Sequence, residues 1–226
     1  IRLVLYFILT NGVKRMAEAI DTTPVVKETL LTFENANDLK ALDLFSAKND
    51  VRYWLNGIHI DRNHVTATNG HVLLRICHGQ NLDLGPDGIV LALPKFTVKA
   101  SNPGCAISIK NIETGTPHTT GYVLSVSETA TLFINAEKHD LEILDGQYPD
   151  VSKVIPEFVK KEDRSFHAPF NAKYLELIGK TAKLLNPKNK NKNLACWIYG
   201  ENPKNAHRVE IQNRDDIQLV IMPVGY

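Results

Sequence analysis

The sequence has little cysteine, little net charge and no long hydrophobic run, and each of these absences excludes a class of protein. Three cysteines among 226 residues are too few and too scattered for a disulfide framework, which predicts a reducing, cytoplasmic compartment. The 26 basic residues nearly cancel the 25 acidic ones. Any nucleic-acid binding must therefore depend on a local segregation of charge. A hydrophobic content of 43% argues against intrinsic disorder.

The most apolar stretch is IRLVLYFILT, at residues 1–10. It falls far short of the roughly 20 residues that a membrane helix needs. A single arginine and no small-residue cleavage pattern make it a poor signal peptide. We therefore expect no membrane association. We interpret residues 1–15 as upstream read-through or other non-native sequence, with a short hydrophobic arm packed on the body as the alternative.

Three times along the chain, a short apolar strand is followed by a cap, an amphipathic helix and several alternating strands. In the first helix, Leu39, Leu42 and Phe45 recur at helical spacing. Pro94 predicts the start of a short second helix at 95–100. The pattern predicts an α+β fold, with antiparallel sheets outside and helices on one face. Opening strands are expected at 30–33, 88–94 and 164–170, and a further strand at 51–61. A third helix, capped by Asn171, is expected at 171–185, with one apolar face formed by Tyr174, Leu177, Ile178 and Leu185. Alternating strands at 195–201, 207–213 and 217–224 are expected to follow it.

Motifs of catalysis are missing from the sequence. It contains no P-loop, no dinucleotide-binding fingerprint, no HExxH and no nucleophile elbow. His71, Cys77 and His78 lie close together, as do His59 and His64, but neither set has the paired spacing of a structural zinc site. We therefore expect no catalytic residue, no metal site and no cofactor.

Four segments carry motifs that occur together in one known family. The first runs through DVRYWLNGIHI (50–60) and VTATNGHVLLRI (65–76), and the second is LDGQYPDVSKVIP (144–156). FNAKYLELIGKTAKLL (170–185) and the closing LVIMPVGY (219–226) follow. In this order they resemble the central domain, the domain junction, the final helix and the last strand of the bacterial DNA polymerase III beta subunit family, the DNA sliding clamps. The resemblance implies the DNA-clamp architecture of repeated strand–helix–strand units.

The resemblance covers the chain unevenly. Residues 30–156 match a complete central clamp domain, whereas residues 157–226 match the C-terminal half of the last domain. Residues 1–29 are set apart as an N-terminal arm or non-native leader, and the charged stretch 156–164 suits a linker. Three units, an odd number, indicate a shortened or phage- or plasmid-type relative of the family.

A clamp holds duplex DNA without reading its bases, so the resemblance implies helix lysines that face phosphates. The spacing of Lys40 and Lys48, and that of Lys173 and Lys180, places each pair roughly on one helical stripe. Lysines on the solvent face of any helix look the same, so this pattern alone is weak. The candidate DNA-binding residues are Lys40, Lys48, Lys95, Lys99, Lys173, Lys180 and Lys183.

The resemblance also implies a hydrophobic cleft into which polymerases and other clients insert a short peptide. Four positions differ from the family's motifs. The family has aspartate at the position of Asn69 and arginine at the positions of Val72 and Lys153. At the end of the chain, Gly225-Tyr226 replace a basic residue and an aliphatic one. The choice of client can therefore differ from that of a host clamp. The candidate cleft residues are Thr68, Gly70, His71, Leu73, Pro149, Lys153, Val154, Val220, Met222, Pro223 and Val224. Ordinary core strands would show the same apolar alternation.

The function that the resemblance implies is that of a processivity factor, which encircles or binds duplex DNA non-specifically and tethers a DNA polymerase. It implies a homo-oligomer and a clamp loader as a further partner. The alternative is a clamp-derived adaptor or competitor that keeps the peptide cleft but does not ring DNA. A nuclease or other DNA-modifying enzyme is a third hypothesis, against which the missing acidic cluster and metal motif argue.

Overall fold

Antiparallel strands form most of the structure. The computed structural model describes residues 2–4, 24–99, 104–118, 121–157, 168–187 and 194–224. These residues form one 12-stranded sheet in which strand pairing is antiparallel, with the order β10-β11-β12-β5-β4-β3-β6-β9-β8-β7-β2 and β1 attached to β8. The first strands are β1 (Arg2–Val4), β2 (Val25–Phe33), β3 (Ile58–Ile60), β4 (His64–Thr68), β5 (Val72–Cys77) and β6 (Ile89–Ala92). The others are β7 (Cys105–His118), β8 (Gly121–Ile134), β9 (Glu137–Ile143), β10 (Cys196–Tyr199), β11 (His207–Ile211) and β12 (Ile217–Ile221).

Two α-helices, α1 (Ala36–Phe45) and α2 (Ala172–Leu185), contact each other, and α1 packs on β4 and β5. An asparagine caps each helix: Asn35 accepts from the Asn37 N–H at 3.0 Å, and Asn171 accepts from the Lys173 N–H at 2.9 Å. The apolar face of each helix enters one large core, which also holds one face of the sheet. Buried helix residues in this core include Leu39, Leu42, Phe45, Ile178, Ala182 and Leu185.

These observations confirm the predicted α+β class, with helices on one face of an antiparallel sheet. They also confirm the first and third predicted helices, including the shared inner face of the third. β2 begins at Val25, five residues before the expected start at Leu30. The closing strands β10, β11 and β12 form where alternation predicts them.

Two local predictions were wrong. Residues 93–99 adopt neither helix nor strand, so the second predicted helix is absent from the described part of 95–100. Tyr53–Asn56 form a 3-10 helix, and only Ile58–Ile60 of the predicted strand at 51–61 pair in the sheet. Asn56 explains why the first part of 51–61 is not a strand. Its side-chain amide accepts a hydrogen bond from the Asp50 N–H at 2.9 Å and donates one to the Asp50 carbonyl at 3.1 Å, which closes a loop.

Several predictions fall on residues outside the described ranges. Of the strand expected at 164–170, only 168–170 are described, and they are not strand. Most of the linker at 156–164 and residues 5–23 also lie outside. Residues 2–4 pair with β8 at 124–126. No helix among the described residues is long and apolar enough to cross a membrane.

Candidate partner-binding site

The candidate site is built around the pairing of β5 with β12, which joins the first motif to the chain's last strand. Leu73 lies directly opposite Val220 in this pairing, and both side chains are buried. Their neighbours Leu74 and Leu219 face the helix-side core. Because side chains alternate along a strand, Leu73 and Val220 project from the face of the sheet that points away from the helices.

The turn between β4 and β5 is fixed by side-chain hydrogen bonds. The Asn69 amide oxygen accepts from the N–H groups of His71 and Val72, at 3.0 and 3.1 Å. Asn69 thus performs the turn-closing role of an aspartate at this position. Thr68 Oγ1 donates to the Val72 carbonyl at 2.8 Å, and Gly70 has a φ of +87°, which favours glycine.

The closing segment is attached to this turn. The Met222 N–H donates to the His71 carbonyl at 2.9 Å, and the Val224 N–H donates to the Pro169 carbonyl at 2.8 Å. Met222 and Val224 are nonetheless 37% and 46% exposed. The backbone is therefore held in place while two apolar side chains remain accessible to a partner.

The second motif approaches the same face through a short 3-10 helix, Val151–Lys153. Asp150 caps it, with its carboxylate accepting from the Ser152 N–H at 3.1 Å. The hydrogen bonds from Ser152 hold the pKa of Asp150 below its usual value, assisted by Lys153 at 3.4 Å. Val154, which follows the helix, is 48% exposed.

A second apolar cluster joins three of the four segments, the first, the second and the closing one. It contains Leu73 from the first motif, Tyr148 and Val151 from the second, and Val220 from the last strand. Burial raises the pKa of the Tyr148 hydroxyl well above its usual value. Among the candidate cleft residues, the structure buries Thr68, Leu73 and Val220 and leaves accessible Gly70, His71, Pro149, Lys153, Val154, Met222, Pro223 and Val224.

Tyr174 is a site residue that the sequence reasoning missed. Its ring stacks on His71, with centroids 5.6 Å apart and an interplanar angle of 22°. Both residues line a cavity of about 580 Å³ between the end of α1 and the start of α2. The aromatic residue just after the predicted helix cap could have been a signal, but the pattern assigned it only to the core face.

The same cavity collects three of the candidate DNA-binding lysines, Lys48, Lys173 and Lys180. Carboxylates partly neutralise this group: Asp43 pairs with both Lys40 and Lys48 at 2.8 Å, and Glu176 pairs with Lys180 at 2.7 Å. Of the candidate DNA-binding lysines, those that are exposed and have no acidic partner in the described part of the chain are Lys95, Lys99, Lys173 and Lys183. Lys95 and Lys99 do not lie on a helix, which corrects their predicted placement.

The described residues contain no group of three or more histidine, cysteine or carboxylate side chains that could hold a metal ion. The exposed Cys77, the buried Cys105 and the half-buried Cys196 are all free thiols. Burial raises the pKa of Cys105 to about 12, so this thiol stays protonated and unreactive at neutral pH.

The comparisons with known proteins return DNA sliding clamps among solved structures. Neither a protein-family model nor a curated protein sequence matches the chain. The DNA polymerase sliding clamp from Pseudomonas aeruginosa is 14% identical, with a TM-score of 0.48 over 88% of this chain and 67% of the clamp. The sliding clamp from Bartonella birtlesii, bound to griselimycin, is 14% identical, with a TM-score of 0.49 over 94% and 69%. The chain thus spans about two thirds of the length of these clamps.

Proposed function

We propose that this chain is a non-catalytic, DNA sliding-clamp-like processivity factor that tethers a DNA polymerase to duplex DNA. The polymerase, or another client, inserts a short peptide beside the second apolar cluster, near Leu73, Val220 and Met222. Helix lysines contact the DNA phosphates without base readout. Tethering raises the rate of polymerase rebinding, because the enzyme stays at a high effective concentration near its template.

One observation carries this proposal: three of the four segments that resemble the clamp family converge on one apolar cluster although they are far apart in sequence. The cluster lies on the sheet face opposite the helices. This supports a sheet face for client peptides and a helix surface that carries exposed lysines, with His71 where the two meet, because it stacks on Tyr174 of α2. A tether needs both surfaces to be occupied at once.

Peptide binding tests the first surface. A labelled peptide with a leucine or phenylalanine anchor should bind with a dissociation constant of about micromolar, because it buries little area. Met222→Ala and His71→Ala should weaken binding by roughly tenfold, since one or two anchors supply most of the free energy. Phe133→Ala, which alters a similarly exposed apolar side chain on β8, is the matched control.

Fluorescence anisotropy measures the affinity, and thermal melting checks that each variant folds. If the Met222 and His71 variants melt like the parent and bind the peptide as tightly as the control does, the chain has no peptide cleft at this place.

DNA topology tests the second surface. A protein that encircles DNA should remain on nicked circular DNA in moderate salt and be lost when the circle is linearised, because escape then needs only an end. Binding by phosphate contacts alone falls steeply with salt on both templates. A clamp loader is supplied in both reactions, so that ring opening does not limit the result. Equal retention on the two templates would contradict encirclement.

A specific contact favours the adaptor as the second candidate function. Within the described residues β2 is an edge strand, and the Gln80 side chain binds it at Thr32. Gln80 accepts from the Thr32 N–H at 2.9 Å and donates to the Thr32 carbonyl at 2.7 Å. This side chain takes the place of a pairing strand at that point, which hinders ring closure through this edge.

A further inference from the structure

Asparagine directly precedes glycine twice among the described residues, at Asn56-Gly57 and at Asn69-Gly70. At such a pair the glycine nitrogen can attack the side-chain amide of the asparagine, because a residue without Cβ leaves the approach open. The two pairs share this chemistry, but the fold places them in opposite environments. A comparison between them therefore separates the effect of structure from that of sequence.

The reaction consumes only water. The Gly70 nitrogen loses its proton to hydroxide and forms a bond to the Asn69 Cγ. The bond from Cγ to Nδ2 then breaks, and the side-chain nitrogen takes up a proton and leaves as ammonia. Water opens the resulting five-membered imide at one of its two carbonyl carbons, and the Gly70 nitrogen regains a proton. One opening yields aspartate, and the other yields isoaspartate, in which the main chain runs through the former side chain.

The hydrogen bonds around Asn69 favour the attack. Its Oδ1 accepts from the N–H groups of His71 and Val72, at 3.0 and 3.1 Å. Negative charge develops on this oxygen when the nitrogen adds to Cγ, so the two N–H groups stabilise the addition as an oxyanion hole does. The Gly70 N–H donates to Thr68 Oγ1 at 3.1 Å, which raises the electron density on the attacking nitrogen.

The Asn69-Gly70 pair is also accessible. Gly70 is exposed and Asn69 is half-buried, so water and hydroxide reach this turn. Within the described part of the chain, the Asn69 Nδ2, which must leave, has no hydrogen-bond partner. A Cβ on Gly70 would meet only the Arg52 guanidinium, the flexible end of a side chain, at 3.5 Å. The backbone therefore has room to close the ring.

The Asn56-Gly57 pair lacks these conditions. The Asn56 Nδ2 donates to the Asp50 carbonyl at 3.1 Å, which holds the leaving group in place. Gly57 is buried, and a Cβ there would lie 2.5 Å from the Leu91 carbonyl oxygen, so the backbone has no room to move. Asn56 can therefore react only after local unfolding.

We propose that Asn69 is a site of spontaneous modification in the folded chain, where water converts the asparagine into aspartate or isoaspartate. Aspartate keeps an oxygen in the same place and continues to close the turn. Isoaspartate adds a methylene group to the main chain, so its carboxylate no longer meets the His71 and Val72 N–H groups. Because the His71 carbonyl accepts from the Met222 N–H at 2.9 Å, isoaspartate loosens the closing segment at this bond.

Mass spectrometry of proteolytic peptides tests the site. The purified full chain is kept in mildly alkaline buffer made with heavy-oxygen water, so that each converted residue carries the label. In the folded chain, Asn69 should convert at least about tenfold faster than Asn56, which must wait for local unfolding. In urea the two residues should convert at similar rates. A rate at Asn69 in the folded chain as low as that at Asn56 would overturn the site.

Hydrogen exchange tests the effect on the closing segment. Asn69→Ser is the matched control, because the serine oxygen can still accept an N–H in the turn but cannot form the imide. After the same incubation, the Met222 N–H should exchange faster in the parent chain that contains isoaspartate and at an unchanged rate in the serine variant. Unchanged exchange in the parent, once isoaspartate has formed, would overturn this effect.

Peptide affinity links the modification to the candidate cleft, and only this link rests on the proposed function. Binding of the anchor peptide should fall in proportion to the isoaspartate fraction in the parent and stay constant in the serine variant. If the fresh chain does not bind the peptide, the cleft is wrong, and conversion and Met222 exchange still decide the modification. If exchange rises but affinity does not change, the modification stands and its link to the cleft is overturned.

Discussion

Two partly buried histidines couple the folded state to pH. The His59 Nε2 lies 2.9 Å from the Asp87 carbonyl, and the His78 Nε2 lies 3.3 Å from the Asp61 carbonyl. Burial lowers the pKa of both imidazoles from 6.5 in spite of these contacts. Their neutral forms are therefore favoured in the folded chain.

The free energy of unfolding should consequently fall as the pH decreases below about 6.5. In that range the unfolded chain binds protons at both imidazoles before the folded chain does, so protonation favours unfolding. Urea unfolding at pH values from 7.5 down to about 5.5 measures the slope. The double variant His59→Gln/His78→Gln, whatever its stability at neutral pH, should show a flatter slope. An unchanged slope would mean that other groups cause the pH dependence.

At the scale of elements, local patterns predicted the helices better than the sheet. α1 and α2 have both an asparagine cap and a regular apolar stripe, and each formed as expected. The predicted helix at 95–100 rested on Pro94 alone. A stretch that short, with β-branched Thr97 and Val98, cannot offset the cost of helix nucleation.

The pairing of β5 with β12 could not be read from either strand, because it depends on contacts between residues far apart in the chain. For the same reason, the motifs indicated which residues belong to the site but not which of them are accessible. Leu73 and Val220 are covered, whereas His71 is exposed and stacks on Tyr174. Alternation along a strand predicts the side of the sheet from which a side chain projects, but not which residues cover that side.

Arg214 connects α1, α2 and the turn before β12. Its guanidinium donates to both carboxylate oxygens of Asp38, at 3.0 and 3.1 Å, and to both of Asp216, each at 2.8 Å. It also donates to the Leu185 carbonyl at the end of α2, at 3.2 Å. Burial raises the pKa of Asp38 although Arg214 counteracts this effect, so loss of Arg214 would leave a buried carboxylate unpaired.

Arg214→Ala should therefore lower the free energy of unfolding by about 3 kcal/mol, the lower end of the cost of breaking a buried ion pair, because Arg214 and Asp38 are partly buried. Lys180→Ala, which removes the solvent-exposed pair with Glu176, is the control and should change the free energy of unfolding little, because solvent screens this pair. Urea denaturation of both variants measures the difference. Similar losses in the two variants would show that the Arg214 network does not join the three elements.

At the scale of the whole molecule, the strand order of the described residues ends at β2 and β10, and assembly of copies depends on how open these two edges are. β10 is a strand of four residues, whereas β2 has nine and exposes Val25, Val26 and Leu30. A long apolar edge is a template for another strand unless something covers it. Here the chain contacts this edge at two places: Gln80 binds Thr32 near the end of the strand, and Asp83 pairs with Lys27 near its start, at 2.5 Å.

Gln80→Ala should therefore strengthen self-association, because both hydrogen-bonding groups of Thr32 then become available to a strand from a second copy. Light scattering over a range of protein concentrations measures the average mass, and Asn63→Ala, which removes an exposed amide elsewhere, is the control. A larger mass only in the Gln80 variant would mean that the parent chain restrains this edge, as the adaptor hypothesis expects. If the parent already forms a closed oligomer and the variant does not alter it, the contact between copies uses another surface, and the hindrance that favours the adaptor disappears.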